Sequence, residues 1–283
     1  MSRHLPPSHP SPLQGERAKG AIGVFDSGVG GLSVLQHIRD VLPNERLIYV
    51  ADSGHVPYGD KPAHYIEQRA LDITRFLIEQ QGADAIVIAC NTATAAAAAT
   101  LRSRFSLPII GMEPAVKPAA AASRSGVIGV LATIGTLESA RFAALLERHT
   151  GNIEIFTQGC PDLVEQVEQG DLSGPKTHEL VERYVSPLLA RGADTLVLGC
   201  THYPFLAPLI REIASSNIAL IDTGSAVAQQ LQRRMLAELS GRTPGTVPSA
   251  EFWSSGDVQQ ASRVISILWG EQVTVQCLPQ SPA

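Results

Sequence analysis

Two cysteines end nearly the same phrase in this chain. "ADAIVIACNTATA" carries Cys90, and "ADTLVLGCTHYPF" carries Cys200, 110 positions later. Each thiol follows a short apolar run and precedes polar residues, Asn91 and Thr92 in the first copy and Thr201 and His202 in the second. A cysteine between a buried strand and a helix N-terminus sits where free backbone N–H groups attract an anion such as a carboxylate and lower the thiol pKa. Asn91, Thr92 and Thr201 are suited to cap such a helix. Alone, a cysteine in that place is ordinarily a small buried hydrophobe. Two of them, at equivalent places in two related segments, point instead to a pair of proton-transfer groups.

Further polar residues fall after other apolar runs. "FDSGVGGLSV" sets Asp26 and Ser27 ahead of Gly28, Gly30 and Gly31, glycines that would let the backbone approach a ligand. The stretch lacks both the Gly-Lys-Ser/Thr ending of a phosphate loop and the G-x-G-x-x-G spacing, so it does not indicate a nucleotide. Taken singly, Asp26 reads equally well as a helix N-cap. "YVADSGHVPYGDK" places Asp52 at a strand end and Pro57, Tyr58 and Gly59 in a turn. The second half carries Thr133 and Thr136 in "ATIGT", then Glu165 and Glu168 in "CPDLVEQVEQG". Singly, His202 reads equally as a packed histidine, and Glu168 as a solvated helical glutamate.

Such residues can meet only if the strands before them end in one place. Short β-branched runs at 21, 46, 85 and 108 alternate with longer helical patterns, and runs at 126, 153, 195 and 218 do the same. Corresponding starts are offset by 105 to 110 residues, too long for a solenoid repeat. The pattern predicts an α/β fold of two similar parallel-sheet lobes related by a pseudo-two-fold, with a site in the cleft between them. Helical stretches closed by Gly-Ala-Asp precede each cysteine strand, and Pro187 argues for a kink or break in the second. The expected division is a disordered tail at 1–20, a first lobe of 21–114 plus 224–272, a second lobe of 115–223, and a C-terminal tail at 273–283. The returning piece of the first lobe reads as a helix from 224, then a strand and another helix.

Composition narrows the partners. A length of 283 residues at 44% hydrophobic allows one large core or two modest ones. A net charge of -5 without a basic run gives no footprint for nucleic acid or an anionic membrane. The most apolar stretch, 83–101, contains Asp84 and Asn91 and is centred on alanine, too weakly hydrophobic for a bilayer span. Residues 1–20 lack the apolar stretch of a secretory signal, and the four cysteines form no C-x-x-C pair, so a reducing cytoplasm is expected. No metal site is expected, because the thiols and His202 lack further ligands at recognisable spacing. Nor does any of the four lysines have a convincing Schiff-base setting, so no cofactor is expected.

In that order, "FDSGVGGLSV", "ADSGHVPYG", "ACNTATA", "EQVEQG" after a Cys-Pro, and "LGCTHYP" resemble the motif series of bacterial glutamate racemases, within the wider group of cofactor-independent aspartate/glutamate racemases. The resemblance covers about 21 to 225. It implies interconversion of L- and D-glutamate by two bases, with Cys90 deprotonating the D-enantiomer and Cys200 the L-enantiomer, and a supply of D-glutamate for peptidoglycan. Asp26 would assist Cys90, whereas Glu168 and His202 would assist Cys200. Asp26, Ser27, Pro57, Tyr58, Gly59, Asn91, Thr92, Thr133, Thr201 and His202 would line the substrate. Glu168 is assigned by counting from Cys160, and Glu165 stands where the family has a proline, so either glutamate fits the assisting role. The resemblance also leaves open a homodimer and a peptidoglycan-precursor effector acting through the N-terminal extension. Three alternatives stand beside it: aspartate racemase or a related two-cysteine isomerase, a non-catalytic amino-acid binding module, and a cysteine hydrolase. The last leaves Cys90 without a purpose, and a base two residues from its nucleophile is poor geometry.

Overall fold

Alternating β-branched runs and amphipathic segments give two wholly parallel sheets. The computed structural model describes residues 20–148, 153–215, 217–239 and 249–279. The first half runs β1 (Ala21–Asp26), α1 (Leu32–Val41), β2 (Arg46–Ala51), α2 (Ala63–Arg75), β3 (Ala83–Ile88), α3 (Asn91–Arg104) and β4 (Ile109–Ile110). Next come α4 (Val116–Ala122), β5 (Val127–Ala132), α5 (Ile134–Leu137), α6 (Ala140–Glu147), β6 (Glu154–Gly159), α7 (Leu163–Glu168) and α8 (Pro175–Ala190). The chain finishes with β7 (Thr195–Leu198), α9 (Ala207–Ala214), β8 (Ala219–Ile221), α10 (Gly224–Glu238), β9 (Ser249–Ser254), α11 (Val258–Trp269) and β10 (Val275–Cys277). One sheet has the order β10-β9-β2-β1-β3-β4, and the other has the order β6-β5-β7-β8. The four strands β2-β1-β3-β4 thus repeat the order of the second sheet, which makes two α/β lobes of one topology.

Both faces of the first sheet are covered, as all-parallel sheets require. Along β1 the side chains alternate: Ile22 and Val24 pack with Leu32, Leu35 and Ile38 of α1 and with Leu231 of α10. Phe25 turns to the other face, with Ile48, Ile86, Ile66 of α2 and Leu101 of α3. Each large apolar side chain so buried contributes about 1.5–3 kcal/mol. The first of these cores continues without a break into the second lobe, where it takes in Leu131, Leu196, Leu180 and Leu188. On the far face of the second sheet, Ile128, Val130 and Val197 meet Phe142 and Leu145 of α6.

Three expectations are corrected. Pro187 does not break its helix, since α8 continues to Ala190. It falls in the last turn, where little helix remains to be disrupted. Residues 273–283 are not simply a tail, because β10 pairs with β9 at the sheet edge. And the polar residues after Cys200 cap no α-helix: a 3-10 turn, Tyr203–Leu206, precedes α9. The expected N-terminal tail lies, but for Gly20, outside the described residues. Among the described residues no helix is long and apolar enough to cross a membrane.

Candidate active site

The carboxyl ends of β1, β3, β5 and β7 converge on a narrow cavity, which both Cys90 and Cys200 line. Ser27, Pro57, Tyr58, Gly59, Asn91 and Thr92 also border it from the first lobe, and Thr133, Thr201 and His202 from the second. Asp26 and Glu168 stand just behind the lining. Parallel strands feeding loops into a shared crevice are the usual geometry of an α/β ligand site.

Cys90 is itself the N-cap of α3, its sulfur accepting from the Ala93 N–H at 3.4 Å. Asn91 and Thr92 therefore do not cap the helix. The Cys90 sulfur lies 3.9 Å from Ser27 Oγ, whose hydroxyl in turn lies 3.3 Å from Asp26 Oδ1. Burial, then the charge of Asp26, pushes the Cys90 thiol well up, against the pull of the Ala93 N–H. Asp26 is fully buried and accepts from the backbone N–H groups of Ser27 and Gly31, each at 2.7 Å, and from Thr201 Oγ1 of the other lobe at 3.3 Å. Burial raises the Asp26 carboxyl above the ordinary range, while the His202 charge and the nearby Cys90 thiol pull it down.

The surroundings of Cys200 are different. Its sulfur lies 3.6 Å from His202 Nδ1, and the opposite ring nitrogen lies 2.7 Å from Glu168 Oε1. Burial by itself would lower the His202 pKa, but bonds to Cys200 and Glu168 and their charges drive it well above the usual value, favouring the imidazolium. Glu168 Oε1 also accepts from Val29 N at 2.6 Å, so the first lobe's loop grips a second-lobe carboxylate. Tyr49 fixes that loop from below by donating to the Gly28 carbonyl at 2.6 Å. Of the two glutamates, Glu168 is the one that reaches His202. Glu165 lies beside Asp162 at an outer opening.

The glycine loop has a use that its spacing did not convey. A Cβ on Gly28 would stand 1.9 Å from Glu168 Oε1, and one on Gly30 would stand 2.3 Å from His202 Nδ1. These glycines make room for side chains of the opposite lobe, not for a ligand. Across the cavity the hydroxyls of Thr92, Thr133 and Thr136 form a closed triangle, 3.1 Å from Thr92 to each of the others and 2.9 Å between those two. Thr136, noted at a strand end without a role, belongs to the lining, as do Val164 and Gly199, which carried no signal in sequence. Asn91 is buried, yet neither of its side-chain amide atoms has a partner. Among the described residues no cluster could hold a metal ion.

The sequence model of the Asp/Glu/Hydantoin racemase family matches residues 22–231, and the chain belongs to that family. It is accordingly an enzyme of the racemase class. A glutamate racemase of Ectopseudomonas mendocina is 59% identical over 261 residues, 92% of this chain and 98% of the relative. Among solved structures, glutamate racemase isoform RacE1 from Bacillus anthracis superposes with a TM-score of 0.82 at 31% identity, covering 93% of this chain and 98% of that one. Escherichia coli glutamate racemase, in complex with L-glutamate and the activator UDP-MurNAc-Ala, gives 0.81 at 30% identity, covering 92% and 98%.

Proposed function

We propose that this enzyme interconverts L- and D-glutamate without a cofactor, Cys90 and Cys200 exchanging protons with opposite faces of the α-carbon. The observation that carries this reading is two thiols on one cavity, one beside a buried carboxylate and the other 3.6 Å from a histidine whose pKa is pushed up. Inversion needs one group ready to accept a proton while the other is ready to give one. Cys90, its pKa raised, rests as the thiol. At Cys200 the imidazolium supplies the positive charge that a thiolate would face. L-glutamate then loses its α-proton to Cys200 and receives one from Cys90, and the reverse path exchanges the roles. Charge developing on the substrate carboxylate would be met by donors held in place before reaction, among them the unpartnered Asn91 amide.

The names of the relatives support glutamate as the substrate. In the same reading the product D-glutamate supplies peptidoglycan and the reaction takes place in the cytoplasm, as the family resemblance implies. The activator bound to the Escherichia coli relative supports a peptidoglycan-precursor effector here. A homodimer is part of the same reading. The two sheets support lobes at 21–114 plus 224–272 and at 115–223, with β10 added to the first.

The test is racemisation of glutamate and of aspartate by purified enzyme without cofactor, followed in deuterium oxide. Glutamate should exchange its α-hydrogen and racemise. Equal turnover of aspartate would defeat the substrate assignment, and an absence of exchange would leave only an amino-acid binding module.

A further inference from the structure

Tyr58 lines the cavity, yet its hydroxyl is turned away from it. The phenol donates to Asp52 Oδ2 at 2.5 Å. The same carboxylate receives a two-pronged grip from Arg69 of α2, Nε to Oδ2 at 3.0 Å and Nη2 to Oδ1 at 2.7 Å. Asp52 is fully buried and Tyr58 is 1% exposed, whereas the Arg69 side chain is 19% exposed. Nothing in the proposed proton path uses these three groups. A buried carboxylate is tolerated only when it is paired and its oxygens are satisfied, and a fork of two parallel N–H bonds gives that pairing a fixed direction. Burial, followed by the charge of Asp52, drives the Tyr58 phenol up, so it stays protonated and remains a donor. Arg69 loses some basicity to burial but regains more from Asp52 and stays charged.

The three groups are fixed at both ends. Asp52 N donates to the carbonyl of Asp26 at 3.0 Å, which ties the carboxylate's backbone to the Cys90 wall. Beyond Tyr58, Gly59 packs on the second lobe: a Cβ on Gly59 would lie 3.2 Å from that of Thr133, and one on Gly135 would lie 2.7 Å from the Gly59 carbonyl. We propose that Asp52 and Arg69 are a positioning pair, which holds the Pro57–Tyr58–Gly59 loop against the substrate from behind the site. Its consequence for catalysis rests on the glutamate reading above. Neither residue touches the reacting atoms.

A groove of about 760 Å3 between α2 and the C-terminal strand gives the test its handle, because Arg69 lines it together with Arg75, Phe76 and Leu278. A guanidinium ion in solution can enter there and replace a deleted arginine head group. The experiment compares wild type, Arg69→Ala, Arg69→Lys and Tyr58→Phe by two readouts, hydrogen exchange of the 58–60 amides and steady-state kinetics with glutamate. For Arg69→Ala the expected outcome is at least tenfold less protection of those amides and a KM about tenfold higher, with kcat within about threefold. Millimolar guanidinium, but not sodium at the same ionic strength, should recover much of both. Lysine, a point charge without the fork, should fall between wild type and alanine. Should Arg69→Ala not fold, Tyr58→Phe keeps the ion pair and cuts only its link to the loop, and it should raise KM about threefold. Wild-type protection and wild-type KM in a folded Arg69→Ala or in Tyr58→Phe would overturn the pair's role. If wild type itself fails to turn over glutamate while Arg69→Ala still loses amide protection, the functional reading falls and the anchoring of the loop stands.

Discussion

Cys90 and Cys200 follow strands at matching positions of two sheets that share the order of four strands, but the groups set against the two sulfurs differ. Around Cys90 stand a carboxylate, a serine hydroxyl and a true α-helix N-terminus. Around Cys200 stand an imidazole braced by a glutamate, and a 3-10 turn. A duplicated fold can therefore carry an unduplicated chemistry, and proton transfer across a stereocentre calls for that. In the proposed mechanism one sulfur must hold a proton that the other lacks, and two identical environments could not favour that arrangement over its opposite.

The largest expected effect comes from removing either thiol. Cys90→Ser and Cys200→Ser should each lower racemisation by about 10²–10⁴ or more, because a serine hydroxyl is a far weaker base. Single-turnover loss of the α-deuteron should survive only for L-glutamate in Cys90→Ser and only for D-glutamate in Cys200→Ser. A shared preference would break the comparison of the two walls. Next comes Gly30→Ala, whose new methyl must displace the His202 ring from 2.3 Å away, and about a 10²-fold loss is expected. Enantiomers have equal free energy in water, so kcat/KM must stay equal in the two directions. The asymmetry should appear instead as a larger primary isotope effect on deuterated L-glutamate than on the D-form.

Glu168→Gln sharpens the comparison through pH. His202 has a folded pKa raised above the unfolded value of about 6.5, so its contribution to stability is complete below that pH and is lost as pH rises through the folded value. Removing the Glu168 charge lowers the folded value, so the loss should begin at lower pH. Urea midpoints across pH measure it, and an unshifted profile would mean that Glu168 does not hold the imidazolium. The smallest effect belongs to Thr136→Val, which leaves Thr92 and Thr133 bonded to each other. About 1 kcal/mol of stability and less than threefold in kcat/KM are expected, measured by thermal melts and steady-state assay.

The eight strands β1 to β8 were legible because each is a short β-branched run, and the sheets bury most of them. β10 was not, since "VQC" is brief and two of its three residues are exposed, so no alternation marks it. Cys90, Cys200 and the polar residues beside them announced themselves by recurring in matched phrases. What the phrases could not convey is the partner across the cleft. Val29 meets a carboxylate 139 positions away, and Thr92 a hydroxyl 44 positions away. Gly28 and Gly30 were legible as permissive backbone, but the side chains they admit come from α7 and from the segment after β7. Counting eight residues from Cys160 leads to Glu168, which is bonded to His202, though nothing local separates it from Glu165.

The cavity between the two sulfurs is narrow, and that gives the enzyme a memory. In the proposed reaction, when D-glutamate leaves, Cys200 carries the hydrogen taken from L-glutamate and Cys90 lacks the one it gave. The protein that releases product is thus a different protonic isomer from the one that bound substrate. Restoring the first isomer requires two hydrogens to change places through water, which so narrow a cavity slows. When both enantiomers are abundant, the pace is then set by how fast the empty site forgets its last passenger.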